Sequence, residues 1–292
     1  MAALTGQELQ GYIIGNLISS GGMGEVYQGF KADNVTERVA IKIIRPDYGA
    51  DPDYTARFIR EIRLMKLLDH PHIIPIYGYG EANGYLYFVM KMIKGITLRA
   101  LLESQHFTPV SAWEIISPIA QALDYGHSQG VIHRDIKPGN VLLERHDHHY
   151  EVYLSDFGLG KKLGDEDGVT KTGDKLGTPD YMAPEAVIGQ QVDHRADIYS
   201  FGCMIYQLLL GELPYRKRAP HLIAIAHLRE KPREPISLRP DFPLALQQVL
   251  IKSLARQPED RQPTIKAFTS ELYEAIQQLD PEQRTTDYWI SE

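Results

Sequence analysis

The run His133-Arg134-Asp135-Ile136-Lys137-Pro138-Gly139-Asn140 is followed in order by Asp156-Phe157-Gly158 and by Gly177-Thr178-Pro179-Asp180-Tyr181-Met182-Ala183-Pro184-Glu185. The first stretch sits between a long helical pattern, residues 110–129, and two short β-like runs, 140–144 and 150–154. Upstream, residues 12–18, 25–30, 38–44, 73–79 and 85–92 are β-branched or aromatic runs parted by glycine and polar turns, which predicts an antiparallel sheet. Within that half, residues 53–68 place Phe58, Ile62, Met65 and Leu68 at helical spacing, which predicts one amphipathic helix laid on the sheet. From Gly95 onward helical patterns dominate, at 97–104, 110–129, 194–211, 219–229, 243–255 and 264–279. Strands first and helices afterwards imply an α+β chain of two lobes meeting near 91–95, and a cleft at that junction is the natural ligand site. The expected bounds are 11–92 for the small lobe, 91–95 for the hinge and 95–275 for the large lobe. Residues 276–292 then hold the end of the last helix and, from Asp280, a polar tail.

Bulk properties fit a folded soluble protein. The chain has 292 residues, 43% of them hydrophobic and 24% charged, enough to bury a substantial core. A net charge of −7 gives no general attraction to nucleic acid or to anionic lipid. The single cysteine, Cys203, cannot form an internal disulfide and is flanked by apolar residues, so a buried thiol is expected. No apolar run is long enough to cross a bilayer, which leads us to expect a cytoplasmic chain, or the cytoplasmic part of a longer membrane-anchored protein.

Two upstream segments carry chemistry only in combination. In Gly21-Gly22-Met23-Gly24-Glu25-Val26-Tyr27, glycines between two strands let main-chain N–H groups approach phosphate oxygens, although a plain hairpin turn accounts for the same residues. In Val39-Ala40-Ile41-Lys42-Ile43-Ile44, alternation puts Lys42 beside Ala40 and Ile44, where its charge needs a partner. Glu61, at the edge of the apolar stripe of the 53–68 helix, is the expected one. For either residue alone, solvent exposure is the simpler reading.

Together with the stretches quoted at the start, these segments resemble the eukaryotic-like protein kinase family over nearly all of residues 11–275, and the wording of the glycine loop most resembles bacterial Hanks-type serine/threonine kinases. The resemblance implies a bilobal kinase fold, with a small β-rich lobe carrying one main helix and a larger helical lobe. It implies transfer of the ATP γ-phosphoryl group to serine or threonine hydroxyls of protein substrates, with Mg²⁺ or Mn²⁺ as cofactor. Asp135 would accept the hydroxyl proton, Lys137 would lie near the γ-phosphate, and Lys42, paired with Glu61, would hold the α- and β-phosphates. Asn140 and Asp156 would carry the metal. Ser19, Gly21, Gly22, Gly24, Val26, Ala40, Met90, Lys91, Ile93 and Leu142 would surround the nucleotide. Thr178 belongs to the substrate platform, and Thr170 and Thr172 would be regulatory phosphorylation sites whose charge Arg134 could pair. Asp197 and Arg261 would be structural anchors, the latter pairing with Glu185. Self-association through the small lobe is a further possibility that the resemblance raises.

Departures from the pattern are few. Ser19 stands where the family has the first loop glycine, and Lys91 where an acidic hinge residue is common. A scaffold that has lost catalysis, or a kinase of small hydroxyl compounds, would share parts of this constellation; Asp135, Asn140 and Asp156 weigh against the first and the 177–185 segment against the second. His146-Asp147-His148-His149 invites a metal reading, but neighbouring side chains on a strand diverge, so a solvated turn is expected there, and Arg216-Lys217-Arg218 reads as an exposed basic loop.

Overall fold

The structure is a computed structural model in which residues 4–22, 24–45, 52–147, 149–157, 179–215 and 219–290 are described. Six antiparallel strands form the small-lobe sheet: β1 (Glu8–Leu9), β2 (Tyr12–Ser20), β3 (Gly24–Lys31), β4 (Asn34–Ile44), β5 (Ile76–Ala82) and β6 (Tyr85–Lys91), in the order β1-β2-β3-β4-β6-β5. Helix α1 (Pro52–Lys66) turns Tyr54, Phe58, Ile62 and Met65 inward, on the spacing that its sequence predicts. Strand β4 is buried on both faces. Val39, Ile41 and Ile43 join Leu9, Ile14, Tyr27, Tyr87 and Val89 on one side, while Ala40 and Ile44 join Phe58, Ile62, Phe88 and Met90 on the other. Strict alternation therefore sends Lys42 to the α1 side, between two apolar residues.

The large lobe begins with a three-stranded sheet rather than a bare hairpin. Strand β7 (Gly95–Thr97) pairs with β8 (Val141–His146), which pairs with β9 (His149–Leu154). The helices follow: α2 (Leu98–Leu102), α3 (Pro109–Ser128), α4 (Pro184–Val187), α5 (Arg195–Leu210), α6 (Pro220–Arg229), α7 (Pro235–Leu238), α8 (Leu244–Ser253), α9 (Ile265–Gln278) and α10 (Pro281–Thr285). Thr108 caps α3 through a reciprocal capping box with Ser111, which satisfies the main-chain N–H groups that a helix start leaves orphaned. Helix α5 is buried almost all round, Cys203 included, as an apolar helix at the centre of a lobe must be. Burial pushes the Cys203 thiol well above its usual range, which leaves it protonated and inert.

Two expected boundaries are corrected. Leu4 and Leu9 are 2% exposed and complete the core on the outer face of the small sheet, so that lobe begins before residue 11. The segment after Asp280 is no polar tail: Asp280 caps α10, Tyr288 is 1% exposed, and the Trp289 indole N–H donates to the Leu208 carbonyl at 2.9 Å. Arg239 Nη1 donates to the Trp289 carbonyl at 2.7 Å, and the Ile290 N–H reaches the Leu210 carbonyl at 3.0 Å. Mean polarity hid the two aromatic rings, and large rings dominate what a short segment can bury.

Candidate active site

Residues 133–140 form a loop between α3 and β8 that buried groups hold from beneath. Asp197, wholly buried at the start of α5, accepts the main-chain N–H of His133 and that of Arg134, both at 2.8 Å, and the His127 Nε2–H at 2.7 Å. Burial alone would raise the Asp197 carboxyl, but the hydrogen bond and charge of His127, with His133 beside it, hold it below the usual carboxylate range. Arg134 is thereby kept at φ 65°, a left-handed conformation that an L side chain adopts at a cost of about 1–3 kcal/mol. His133 lies buried one step further in. Its Nε2–H donates to the Ser155 carbonyl at 2.9 Å and its Nδ1 accepts the Asp135 N–H at 3.2 Å, which defines one neutral tautomer. Burial lowers the pKa of this imidazole and keeps it neutral.

On that base stands a compact polar triad. Lys137 Nζ donates to Asp135 Oδ2 at 2.6 Å, and Asn140 Nδ2 donates to the same oxygen at 2.9 Å and to the Asp135 carbonyl at 2.7 Å. Asp135 keeps 36% of its side chain exposed, so its carboxylate is oriented by the protein yet open to an incoming group. The Asn140 carbonyl accepts from the main chain of Ser155 at 2.9 Å and from its hydroxyl at 3.0 Å, which ties the triad to Asp156 next in sequence.

Lys42 arrives from the small lobe. Its Nζ donates to Asp156 Oδ1 at 2.6 Å and lies 5.8 Å from the centre of the Phe88 ring. Burial would raise the Asp156 carboxyl; the charge and hydrogen bond of Lys42 outweigh it, helped by His133 and Lys137, and the net direction is down. The charges of Lys42 and Lys137 thus act on one carboxylate, although one lysine comes from each lobe. Asp156 holds φ 60°, a second left-handed position in the same site. Phe157 fills the space beneath, 4.7 Å from the His133 ring, against an α3 surface where a Cβ at Gly126 would lie 2.6 Å from the Phe157 ring.

Glu61 is not the partner of Lys42 in this conformation. Its Oε1 accepts from Arg60 Nη2 at 3.2 Å, and Lys42 is engaged by Asp156. The expectation used helical spacing, which chooses the face of α1 but does not set how close α1 stands to the sheet. Lys42 takes the carboxylate that lies nearer.

Apolar residues of both lobes meet at the junction where the sequence places a ligand slot. Val26, Ala40, Met90, Ile93 and Leu142 belong to one continuous hydrophobic cluster drawn from both lobes. Gly24 has a structural reason to be glycine, since a Cβ there would lie 2.1 Å from the Ile43 carbonyl. Gly21 and Gly22 do not: among the described residues outside its chain neighbours, a Cβ at Gly22 would meet nothing within 4 Å and one at Gly21 only the Gly24 carbonyl, at 3.8 Å. Bare main chain beside open space suits an anionic group better than a neighbouring side chain. Ser19 pairs with Val26 across β2 and β3 and is exposed. Lys91 does more than was expected of its main chain, because its ammonium donates to the Tyr153 hydroxyl at 2.6 Å and braces the hinge against β9.

The donor set fits the expected cofactors: oxygens of Asn140 and Asp156 for a hard divalent cation, open glycines for phosphates, and apolar walls for a flat ring. Remote from the slot, Arg261 and Glu185 form a buried bidentate pair with both contacts at 2.7 Å. Thr170, Thr172, Thr178 and Gly158 lie outside the described residues, as do Arg216, Lys217 and Arg218. His127 and Ser155 act as supports that the sequence does not signal, because a lone histidine or serine carries no spacing pattern, and His133, although part of the quoted motif, has a supporting role that only the contacts reveal.

The chain is similar to known proteins along most of its length. The family described as the protein kinase domain matches residues 12–286. Serine/threonine-protein kinase PknD of Mycobacterium tuberculosis is 39% identical over 284 residues, covering 96% of this chain and 42% of that protein. Serine/threonine-protein kinase PknB of Mycolicibacterium smegmatis is 37% identical over 267 residues, covering 89% of this chain and 42% of that protein. Among solved structures, a double mutant of the Mycobacterium tuberculosis PknI kinase domain superposes with a TM-score of 0.77 at 28% identity, covering 94% of this chain and 99% of that one. The chain thus spans less than half the length of these two curated relatives.

Proposed function

This chain belongs to the protein kinase family, and from that premise we propose that it transfers the γ-phosphoryl group of ATP to serine and threonine hydroxyls of proteins. The observation that carries the reading is the convergence of Lys42, Lys137 and Asp156 beside the Asp135 carboxylate, across the junction of two lobes. ATP bound at the lobe junction would supply the phosphoryl group, and Asn140 and Asp156 would hold Mg²⁺, which would supply charge neutralisation of the phosphate oxygens. The protein's share is positioning and charge, as phosphoryl transfer requires. Val26, Ala40 and Leu142 sandwich the adenine, Met90 closes the back, and the main chain of Lys91 and Ile93 reads its edge. Gly21, Gly22 and Gly24 bring main-chain N–H groups to the phosphates, with Ser19 replacing a more permissive glycine. Lys42 orients the α- and β-phosphates, Asp135 Oδ2 accepts the proton of the attacking hydroxyl, and Lys137 counters charge beside it. Asn140, which donates to Asp135, fixes the face that the carboxylate presents. Thr178 shapes the platform for the substrate.

Activation is read as phosphorylation of Thr170 and Thr172 by a second copy or by the chain itself. Arg134 has its main chain committed to Asp197, while its guanidinium is uncommitted among the described residues, and it supplies the countercharge. The protein substrates and any signalling partners belong to the same reading.

Radiolabelled ATP with Mg²⁺ and a generic protein substrate tests it, with Asp135→Asn alongside. Wild type should label serine and threonine, and the variant should lose at least about 1000-fold in rate. Equal inertness of the two, or label only on small hydroxyl compounds, overturns the proposal. Replacing Thr170 and Thr172 with alanine should lower the rate after preincubation with ATP; an unchanged rate removes the activation step.

A further inference from the structure

Glu144, His146, His149 and Glu151 stand on one face of the β8–β9 hairpin. The register pairs Glu144 directly with Glu151 and His146 directly with His149, and residues two apart on a strand share a face. The sequence expectation that adjacent side chains diverge does not reach these four, which are partners across the register or two apart on one strand. Cross-strand partners bring their Cβ atoms to about 4.5–5.5 Å, so the four side chains form a two-by-two array. The contacts agree. The His146 and His149 rings stack at 5.5 Å with 20° between their planes, and His146 Nε2 lies 3.2 Å from Glu151 Oε2. One donor atom from each of Glu144, His146 and Glu151 falls within 4.8 Å of the others.

We propose that this hairpin face binds one divalent transition-metal ion of the zinc class through Glu144, His146 and Glu151, with the His149 ring walling one side. Zinc holds nitrogen and oxygen ligands at about 2.0–2.2 Å in a tetrahedron, which puts ligand atoms about 3.3–3.6 Å apart. The His146–Glu151 edge, at 3.2 Å, is close to that spacing, and Glu144 offers its carboxylate within 4.8 Å of both. An imidazole between two carboxylates suits zinc, cobalt or nickel better than magnesium. The site is therefore chemically distinct from the oxygen donors of Asn140 and Asp156, and it rests on none of the catalytic assignments.

Its position gives the ion a structural lever. Glu144 pairs with Gly95 at the start of β7, directly after the hinge, and the charges of Glu151 and Glu144 both act on Lys91. Lys91 in turn is held by Tyr153 on the strand that carries Glu151. An ion on the two glutamates crosslinks β8 to β9 and, by binding the folded chain, stabilises it by mass action.

Competition for Zn²⁺ against a chromophoric chelator, with the whole chain in excess Mg²⁺, tests the site. Wild type should take up one equivalent. His146→Ala and Glu151→Gln should each bind at least about tenfold more weakly, while Asp147→Ala should match wild type. Co²⁺ in place of Zn²⁺ should give the intense visible bands of a four- or five-coordinate centre, lost in His146→Ala. Circular dichroism without metal checks that each variant folds. Zinc binding that is equal in wild type and His146→Ala, or absent from wild type, overturns the proposal.

Discussion

The loop of residues 133–140 and helix α1 belong to different lobes and stand in different states of completion. Around Asp135, the carboxylate, the lysine, the asparagine and the main chain beneath them already hold one another, and Asp197 fastens the loop to the core of the large lobe. Across the cleft, Lys42 and Glu61 each hold a different partner, one Asp156 and the other Arg60. The difference follows from what anchors each part. The loop is tied to the large lobe by hydrogen bonds to the buried Asp197 carboxylate, whereas α1 meets the sheet through an apolar face, whose contacts are non-directional. The site therefore reads as a finished half and an adjustable half, and the two should respond differently to substitution: the finished half in stability, the adjustable half in rate.

Breaking the buried ion pair of the lobe that carries the finished half should have the largest effect. Arg261 is 0% exposed and Glu185 7%, so Arg261→Ala leaves an uncompensated charge in the core and should cost about 3–5 kcal/mol by denaturant unfolding. A cost below 1 kcal/mol would place the anchoring elsewhere. Arg261 also stacks on Tyr199 at 4.9 Å, and the Tyr199 hydroxyl contacts His227 Nδ1 at 2.6 Å, so the same network carries a pH dependence. Burial pushes His227 down to about 4, against partial opposition from the main chain of Asp180 and Pro179. Above pH 6.5 the imidazole is neutral folded or unfolded and contributes nothing to the pH slope. Between about 6.5 and 4 the unfolded chain gains a proton that the folded chain refuses. Stability thus falls as the pH falls through that window, by about 3 kcal/mol in all. His227→Gln should flatten this part of the curve in urea unfolding from pH 7 to 4, and an unaltered slope would refute the assignment. Buried His133, shifted in the same direction, adds a slope that this variant leaves in place.

Gly126→Ala probes the seam between the two halves. The added methyl would meet the Phe157 ring at 2.6 Å, so either α3 or Phe157 must move. Overpacking of this kind costs about 1–3 kcal/mol, and a shifted Phe157 would carry Asp156 with it. Loss of stability together with a raised Mg²⁺ requirement is the expected pair of results. An unchanged melting temperature would mean that the ring has room the structure does not suggest.

What could be read in advance divides along the same line. The strands and α1 were legible because their apolar spacing is local, and the motifs around Asp135, Asp156 and Glu185 because their residue types and order are specific. The tail was misread because Tyr288 and Trp289 are two rings in a polar segment, and their burial depends on a groove formed by Leu208, Leu210 and Arg239, far away in sequence. The array on β8–β9 was missed because the turn was read residue by residue, whereas cross-strand register sets which side chains meet. Lys42 and Glu61 were matched by type, but a contact between lobe elements depends on a distance that no periodicity encodes.

Glu61 offers the finest separation of the two halves. Among the described residues its carboxylate, 13% exposed, pairs with the guanidinium of Arg60, which is 65% exposed, and a pair with one partner so open to solvent contributes about 1 kcal/mol or less. Glu61→Gln should therefore leave unfolding almost unchanged, in contrast with Arg261→Ala. If α1 moves toward β4 during turnover so that Glu61 takes Lys42 from Asp156, the same variant should still lower kcat by about tenfold or more, with nucleotide affinity less affected. Asp156 would then lose part of its contact with Lys42 and be more open to a metal, since the three N–H donors of one ammonium would be shared between the two carboxylates. A variant with wild-type kcat and wild-type stability would show that Lys42 works from its present contact with Asp156, and that both halves of the site are already complete.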